Sequence, residues 1–181
     1  MRSFISLNID LKSKEKIQKI QNLVKEKIEK PYLARFEKPE NFHLTIFFVG
    51  EVDEIKLTKI YETVVTKIEN KFGQLNFECS GINAFPNLKN PKVIFLNCKD
   101  SENKIFELAE EVKTILGEFG FTQDKNFHPH ITLARIKGRT KLKDISDINL
   151  KVNFSVNKLS IMQSIISTTG AEHKEIFAIN L

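Results

Sequence analysis

The chain has 181 residues, with 28 Lys and Arg against 23 Asp and Glu, for a formal net charge of +5. Charged residues make up 28% and hydrophobic residues 41%, a folded globular composition rather than a disordered one. With 2 Cys and 4 His, neither a disulfide scaffold nor a cysteine zinc site is expected.

From Ser3 to Ile9 the residues Ile5, Leu7 and Ile9 alternate onto one face, which predicts a half-buried strand. From Lys14 to Lys30, Ile17, Ile20, Val24 and Ile28 recur at three and four, which predicts an amphipathic helix ended by Pro31. Asn41 to Val49 reads as a strand, and Glu54 to Lys71 as a helix with Leu57, Ile60, Val64 and Ile68 on one stripe. Leu75, Phe77 and Cys79 alternate as a strand. A loop from Phe85 to Pro91 and a short apolar strand from Val93 to Cys98 follow. Ser101 is the expected N-cap of a third helix, which carries Ile105, Leu108, Val112, Ile115 and Phe119 and stops at Gly120. His130 to Ile136 is a strand, and Lys137 to Asp147 a loop with a short helix. Strands are expected at Val152 to Val156, Leu159 to Ile165 and Glu175 to Asn180.

Helices and strands alternate irregularly, some strands are consecutive, and no glycine-rich loop follows a strand. This predicts an α+β fold with mostly antiparallel sheets, not a doubly wound nucleotide fold. No run approaches eighteen apolar residues and the first ten residues lack a signal-peptide pattern, so a cytoplasmic protein is expected. The basic surplus fits an anionic partner such as nucleic acid. It fits a lysine-rich solvated surface equally well.

Two of the four histidines share one pattern. Phe42-His43-Leu44-Thr45-Ile46 and Pro129-His130-Ile131-Thr132-Leu133 both read His-x-Thr-apolar within strand-like segments. Residues two apart in a strand share a face, so His43 projects with Thr45 and His130 with Thr132, while Leu44 and Ile131 point the other way. With ten Thr in the chain, chance pairing of two of four His with Thr at +2 is on the order of a few per cent. Two imidazoles facing one another can act as general base and general acid, and each Thr hydroxyl can donate to a phosphate oxygen. In-line displacement at phosphorus wants the base and the acid on opposite sides. No metal and no cofactor is required.

These motifs resemble the two-histidine phosphoesterases, in particular the LigT/ThpR branch of RNA 2′,3′-cyclic phosphodiesterases, also called 2′-5′ RNA ligases. Met1 to Ile5, Pro39 to Thr45 with Phe48-Val49-Gly50-Glu51, Phe85-Pro86-Asn87 with Pro91 to Ile94, Pro129 to Arg135, and Gln163-Ser164 followed by Gly170 carry the resemblance across nearly the whole chain. It implies one bilobal α+β domain over residues 1–181, with two lobes related by an approximate twofold around a central cleft. It implies metal-free hydrolysis of a terminal 2′,3′-cyclic phosphate to a 2′-phosphate, with 2′-5′ ligation as the reverse reaction. It assigns His43 as general acid, His130 as general base, and Thr45, Thr132 and Arg135 as phosphate ligands. The implied partner is an RNA end bearing a cyclic phosphate, tRNA fragments among the candidates, bound by a monomer. Two other readings stand beside this: an enzyme for linear 2′-5′ oligonucleotides or small cyclic nucleotides, and a non-catalytic RNA-binding protein.

Several residues sit outside this scheme. Arg135 is three positions from Thr132, so strict alternation turns it away unless the strand ends, twists or bulges there. His128 is expected at the cleft rim. His173, where the family often has Tyr, and Arg35 are expected on the solvated surface. Ser164 is either a cleft residue or an ordinary strand residue. Cys79 and Cys98 are expected as half-buried packing residues.

Overall fold

A computed structural model describes residues 1–123, 126–168 and 170–181. Its elements, in order, are β1 (Arg2–Asn8), α1 (Leu11–Lys27), β2 (Ala34–Phe36), β3 (His43–Glu51), α2 (Glu54–Ile68), β4 (Leu75–Phe85), β5 (Val93–Asp100), α3 (Lys104–Glu118), β6 (His130–Ile136), β7 (Lys151–Val156), β8 (Lys158–Ser167) and β9 (Gly170–Asn180). No helix among the described residues is long and apolar enough to cross a membrane.

Local chemistry sets the helix starts. The Asp10 carboxylate accepts the Ser13 N–H at 2.9 Å, and Asp53 accepts the Lys56 N–H at 2.8 Å, each capping a first turn. Helix α1 stops at Lys27, short of the expected Lys30, because the chain finds strand-like partners instead. Ile28 bridges Leu142, the Glu29 N–H donates to Lys141 O, and the Lys143 N–H donates to Lys27 O. The 137–147 segment therefore holds no helix; its backbone is spent on the end of α1. Helix α3 starts later than expected. Strand β5 runs through Asp100, Asn103 takes a left-handed conformation (φ +58°), and the Asp100 carboxylate, not Ser101, accepts the Ile105 N–H at 3.0 Å.

All strands join in one antiparallel sheet of order β7-β4-β5-β6-β3-β1-β8-β9, with β2 also paired to β6. The expected two lobes are thus halves of one curled sheet. From the β6/β3 junction, three further strands follow on each side: β5, β4, β7 one way and β1, β8, β9 the other. The junction is a single residue pair, Leu44 with Ile131. Beyond it β3 leaves β6, and Ala34, Arg35 and Phe36 of β2 take over that edge opposite Ile136, Arg135 and Ala134. The sheet therefore opens where the two His-Thr motifs meet.

The convex face carries the core. Ile5 and Leu7 of β1, Leu44 of β3 and Ile131 of β6 join Ile60 and Val64 of α2 and Val112 and Ile115 of α3 in one buried cluster. Helices α2 and α3 pack on one another, and α3 packs on β3. Cys79 and Cys98 differ from expectation. They are buried and bonded to each other, because they face one another directly across β4 and β5 with Cα atoms 4.0 Å apart.

Ile131 is 0% exposed at the one pair joining the two halves. Ile131→Ala should cost about 2–5 kcal/mol through the cavity it leaves. A urea midpoint unchanged from wild type would show that the junction carries no such packing.

Candidate active site

Each motif strand carries a bulge just past its threonine. On β3, Ile5 pairs with Phe47 and Ser6 with Thr45, leaving Ile46 without a partner on β1. On β6, Ile94 pairs with Ala134 and Phe95 with Thr132, leaving Leu133 without a partner on β5. A bulge shifts the alternation by one. Ile46 and Phe47 are therefore both buried, as are Leu133 and Ala134. The residue three past each threonine returns to the His-Thr face, and that residue is Phe48 on β3 and Arg135 on β6. The alternation that would have turned Arg135 away is broken at Leu133.

A bulge leaves backbone groups in need of partners. The buried Gln21 amide of α1 donates to the carbonyls of Leu133 and Glu37, both at 2.8 Å, and the Glu37 N–H donates to Leu133 O at 3.0 Å. Gln21 lies on the apolar stripe between Ile17 and Val24, and a polar residue on a buried face was the sequence signal for it.

The Leu44–Ile131 pair also sets the motifs against each other. Continuing that antiparallel register places His43 across from Thr132 and Thr45 across from His130. Both histidines are anchored alike. His43 Nδ1 lies 2.6 Å from Asn41 O, and His130 Nδ1 lies 2.6 Å from His128 O. A carbonyl only accepts, so Nδ1 carries the proton in each ring and Nε2 is the reactive nitrogen. His43 Nε2 lies 2.9 Å from Thr45 Oγ1, whose hydroxyl donates to it.

A cavity of about 590 Å³ opens on this face, lined by His43, Thr45, Thr132 and Arg135. His130 is not among the lining residues; its ring packs against Phe85 and Phe95 with centroids 5.4 and 5.0 Å away. The cavity also takes in residues that the sequence left outside. Arg35, Ser164 and His173 all line it, as do Arg2, Glu37 and Phe48. His173 is not a surface residue because the β8–β9 hairpin curls back over the groove. Its ring meets those of Phe4 and His43 at 4.9 and 5.3 Å, and the Asn41 side chain holds Ala171 O at 2.8 Å. Phe48 is 60% exposed, an aromatic face open to the groove. His128 is exposed and does not line the cavity; its Nε2 lies 3.0 Å from Asn97 Oδ1. Glu37 forms an ion pair with Arg135 at 3.3 Å.

The electrostatics follow from the enclosure. Burial pushes the His43 pKa down to about 4 against the carbonyl bond that would raise it, and the neighbouring His173, Lys14 and His130 push the same way as burial. His130 is lowered by burial and by His128 and Arg135. His173 is lowered by burial, opposed by Glu37. All three rings are neutral at neutral pH in the free protein. Among the described residues no cluster of three or more His, Cys, Asp or Glu is arranged to hold a metal ion.

Residues 3–170 match the model of the AKAP7 2′5′ RNA ligase-like domain. The chain belongs to that family. It is 32% identical to the RNA 2′,3′-cyclic phosphodiesterase of Archaeoglobus fulgidus over 182 residues, covering 97% of this chain and 98% of the relative. The Thermotoga maritima protein of the same name is 29% identical over 180 residues, covering 98% and 94%. Among solved structures, TT0787 of Thermus thermophilus superposes with a TM-score of 0.82 at 22% identity, covering 100% of this chain and 98% of that one. Escherichia coli LigT complexed with 3′-AMP gives 0.79 at 18%, covering 99% and 97%. The two-histidine phosphoesterase resemblance and its fold are borne out.

A histidine held neutral by folding makes stability depend on pH. Between about pH 6.5 and the folded value of about 4, the unfolded chain binds a proton at position 43 that the folded chain refuses. Stability should therefore fall as pH drops through this window, by up to about 1.4 kcal/mol per pH unit. His130 and His173 act in the same direction. Urea unfolding at two pH values checks this, with His43→Phe expected to lose part of the slope. A slope of the opposite sign, or one intact in the variant, would contradict the site's electrostatics.

Proposed function

We propose that this protein is an RNA 2′,3′-cyclic phosphodiesterase that hydrolyses terminal cyclic phosphates to 2′-phosphates with two histidines and no metal. The observation that carries this reading is the matched pair of motifs. Two imidazoles have the same Nδ1 anchor, each lies across from the other motif's threonine, and an arginine-bearing cavity sits beside them. The names of the relatives point the same way.

The phosphate sits between the two motifs, its oxygens held by the hydroxyls of Thr45 and Thr132 and the guanidinium of Arg135. His130 Nε2 takes a proton from water as the water oxygen bonds to phosphorus. His43 Nε2 delivers a proton to the 3′ oxygen as its bond to phosphorus breaks. The 2′-phosphate remains. 2′-5′ ligation is not the reverse of this step: the 5′ hydroxyl of a second strand would take the place of water, His130 Nε2 taking its proton as the 5′ oxygen bonds to phosphorus and His43 Nε2 protonating the departing 3′ oxygen. His43 is neutral in the free protein, so the bound phosphate must raise its pKa for it to serve as acid. An anion beside an imidazole has that effect. Thr45 then exchanges its bond to His43 Nε2 for one to the phosphate. Both proton transfers and the charge neutralisation come from side chains, so chelation should leave the rate unchanged.

We take it to act as a monomer. We place the protein in the cytoplasm, on RNA ends such as those of cleaved tRNA.

An oligoribonucleotide ending in a 2′,3′-cyclic phosphate, incubated with EDTA, should yield a 2′-phosphate by phosphorus NMR. His43→Ala and His130→Ala should each lower the rate by about 10²–10⁴-fold. Full rate in either variant, or a 3′-phosphate product, would defeat the assignment.

A further inference from the structure

The chain has four arginines and 24 lysines. Three of the four arginines, Arg2, Arg35 and Arg135, line the cavity, and among the described residues no lysine does. Arginine presents a planar fork matched to phosphate, where lysine is a point charge. Such segregation in a lysine-rich chain marks the cavity wall as a phosphate surface wider than one phosphate needs.

Arg35 is the residue left unexplained. It stands directly opposite Arg135 in the β2–β6 register, and both line the cavity. Like charges set opposite one another on neighbouring strands repel. Among the described residues Glu37 is the one carboxylate lining this cavity, and it is paired with Arg135. Arg2, by contrast, has Glu51 opposite it on β3. Among the described residues Arg35 has no ion-pair partner. Its side chain is exposed, and its guanidinium lies beside the start of β9. A Cβ at Gly170 would stand 2.8 Å from Arg35 Nη2, and Gly170 has φ +133°, so β9 begins with the residue that leaves room for this group.

We propose that Arg35 forms a second phosphate subsite beside Arg135. It would hold the phosphate on the 5′ side of the terminal ribose and favour an RNA strand over a cyclic mononucleotide. This rests on the phosphodiesterase reading, with the terminal phosphate taken by Thr45, Thr132 and Arg135. The preceding phosphate then lies one nucleotide along the strand, next to Arg135, where the unpaired guanidinium waits. Its charge relieves the Arg35–Arg135 repulsion.

The test compares kcat/KM for adenosine 2′,3′-cyclic phosphate, its 5′-phosphorylated form, and a dinucleotide ending in a 2′,3′-cyclic phosphate. Wild type, Arg35→Gln and Arg35→Lys are each measured. Wild type should favour the dinucleotide over the unphosphorylated mononucleotide by about tenfold or more, mainly through KM. Arg35→Gln should bring that ratio near unity, and Arg35→Lys should restore part of it. The dinucleotide's salt dependence should be steeper than the mononucleotide's by about 0.7 in log–log slope, and Arg35→Gln should erase the difference. An advantage shared by the 5′-phosphorylated mononucleotide assigns the subsite to the phosphate itself. An advantage confined to the dinucleotide assigns it to the diester within a strand. Equal wild-type rates on all three substrates, or an Arg35→Gln ratio unchanged from wild type, would overturn the proposal. If wild type turns over none of them, the phosphodiesterase reading fails. The subsite is then judged by calorimetric affinity for a dinucleotide ending in a 2′-phosphate against adenosine 2′-phosphate. An affinity ratio that Arg35→Gln does not change overturns it there as well.

Discussion

One backbone pairing governs the rest of the molecule. Leu44 and Ile131 are the only residues that join β3 to β6. Had the two strands stayed paired along their length, the sheet would have closed over the space that the histidines face. Because β3 departs after one pair, that space stays open, and β2 fills the edge of β6 without covering it. The same pair brings each histidine opposite the other motif's threonine. Both side chains of the pair are fully buried, so the point where the sheet opens is also anchored in the core.

Enclosure then shapes the chemistry. Among the described residues the cavity gathers His43, His173 and three arginines with a single carboxylate. Burial disfavours protonating the rings, and the neighbouring cationic or potentially cationic groups add to it. The free site is therefore neutral at its imidazoles and positive at its guanidinium groups. It is organised to receive negative charge, and in the proposed mechanism the charge of the phosphate returns a proton to an imidazole. The carbonyls of Asn41 and His128 keep both rings oriented through this change, since each holds the nitrogen that does not react.

The two halves are alike where the chemistry is shared and differ where recognition begins. Each motif strand bulges one residue past its threonine, yet one bulge presents Phe48 and the other Arg135. The β8–β9 hairpin lines the groove on one side only, bringing Ser164, Ile166, Ala171 and His173 to it. Arg35 and Arg135 lie on the β6 side of the junction, and Arg2, Phe48 and the β8–β9 hairpin on the β3 side.

Much of this was legible in the residues themselves. The alternation of Ile5 and Leu7, the stripes of the three helices, and the repeated His-x-Thr are local patterns, written in periods of two and 3.6, and each survived into the structure. The resemblance carried by those motifs supplied the α+β fold. What no local pattern contained were the events that depend on a distant partner. Helix α1 ended early because the 141–143 segment took its last backbone groups. Cys79 met Cys98 because β4 and β5 pair in one register. Arg135 entered the cleft because Leu133 bulged, and the bulge is tolerated because Gln21, more than a hundred residues earlier, satisfies its carbonyl. His173 entered the cavity because the hairpin that carries it pairs with β1 from the other end of the chain, while Arg35 is exposed, as expected, and lines the cavity as well. The sequence by itself determined which side chains are candidates for the chemistry, since that depends on residue type and on the face each takes along a strand. Only the tertiary structure decided which charges stand beside them, since that is set by register, bulges and the curl of the sheet.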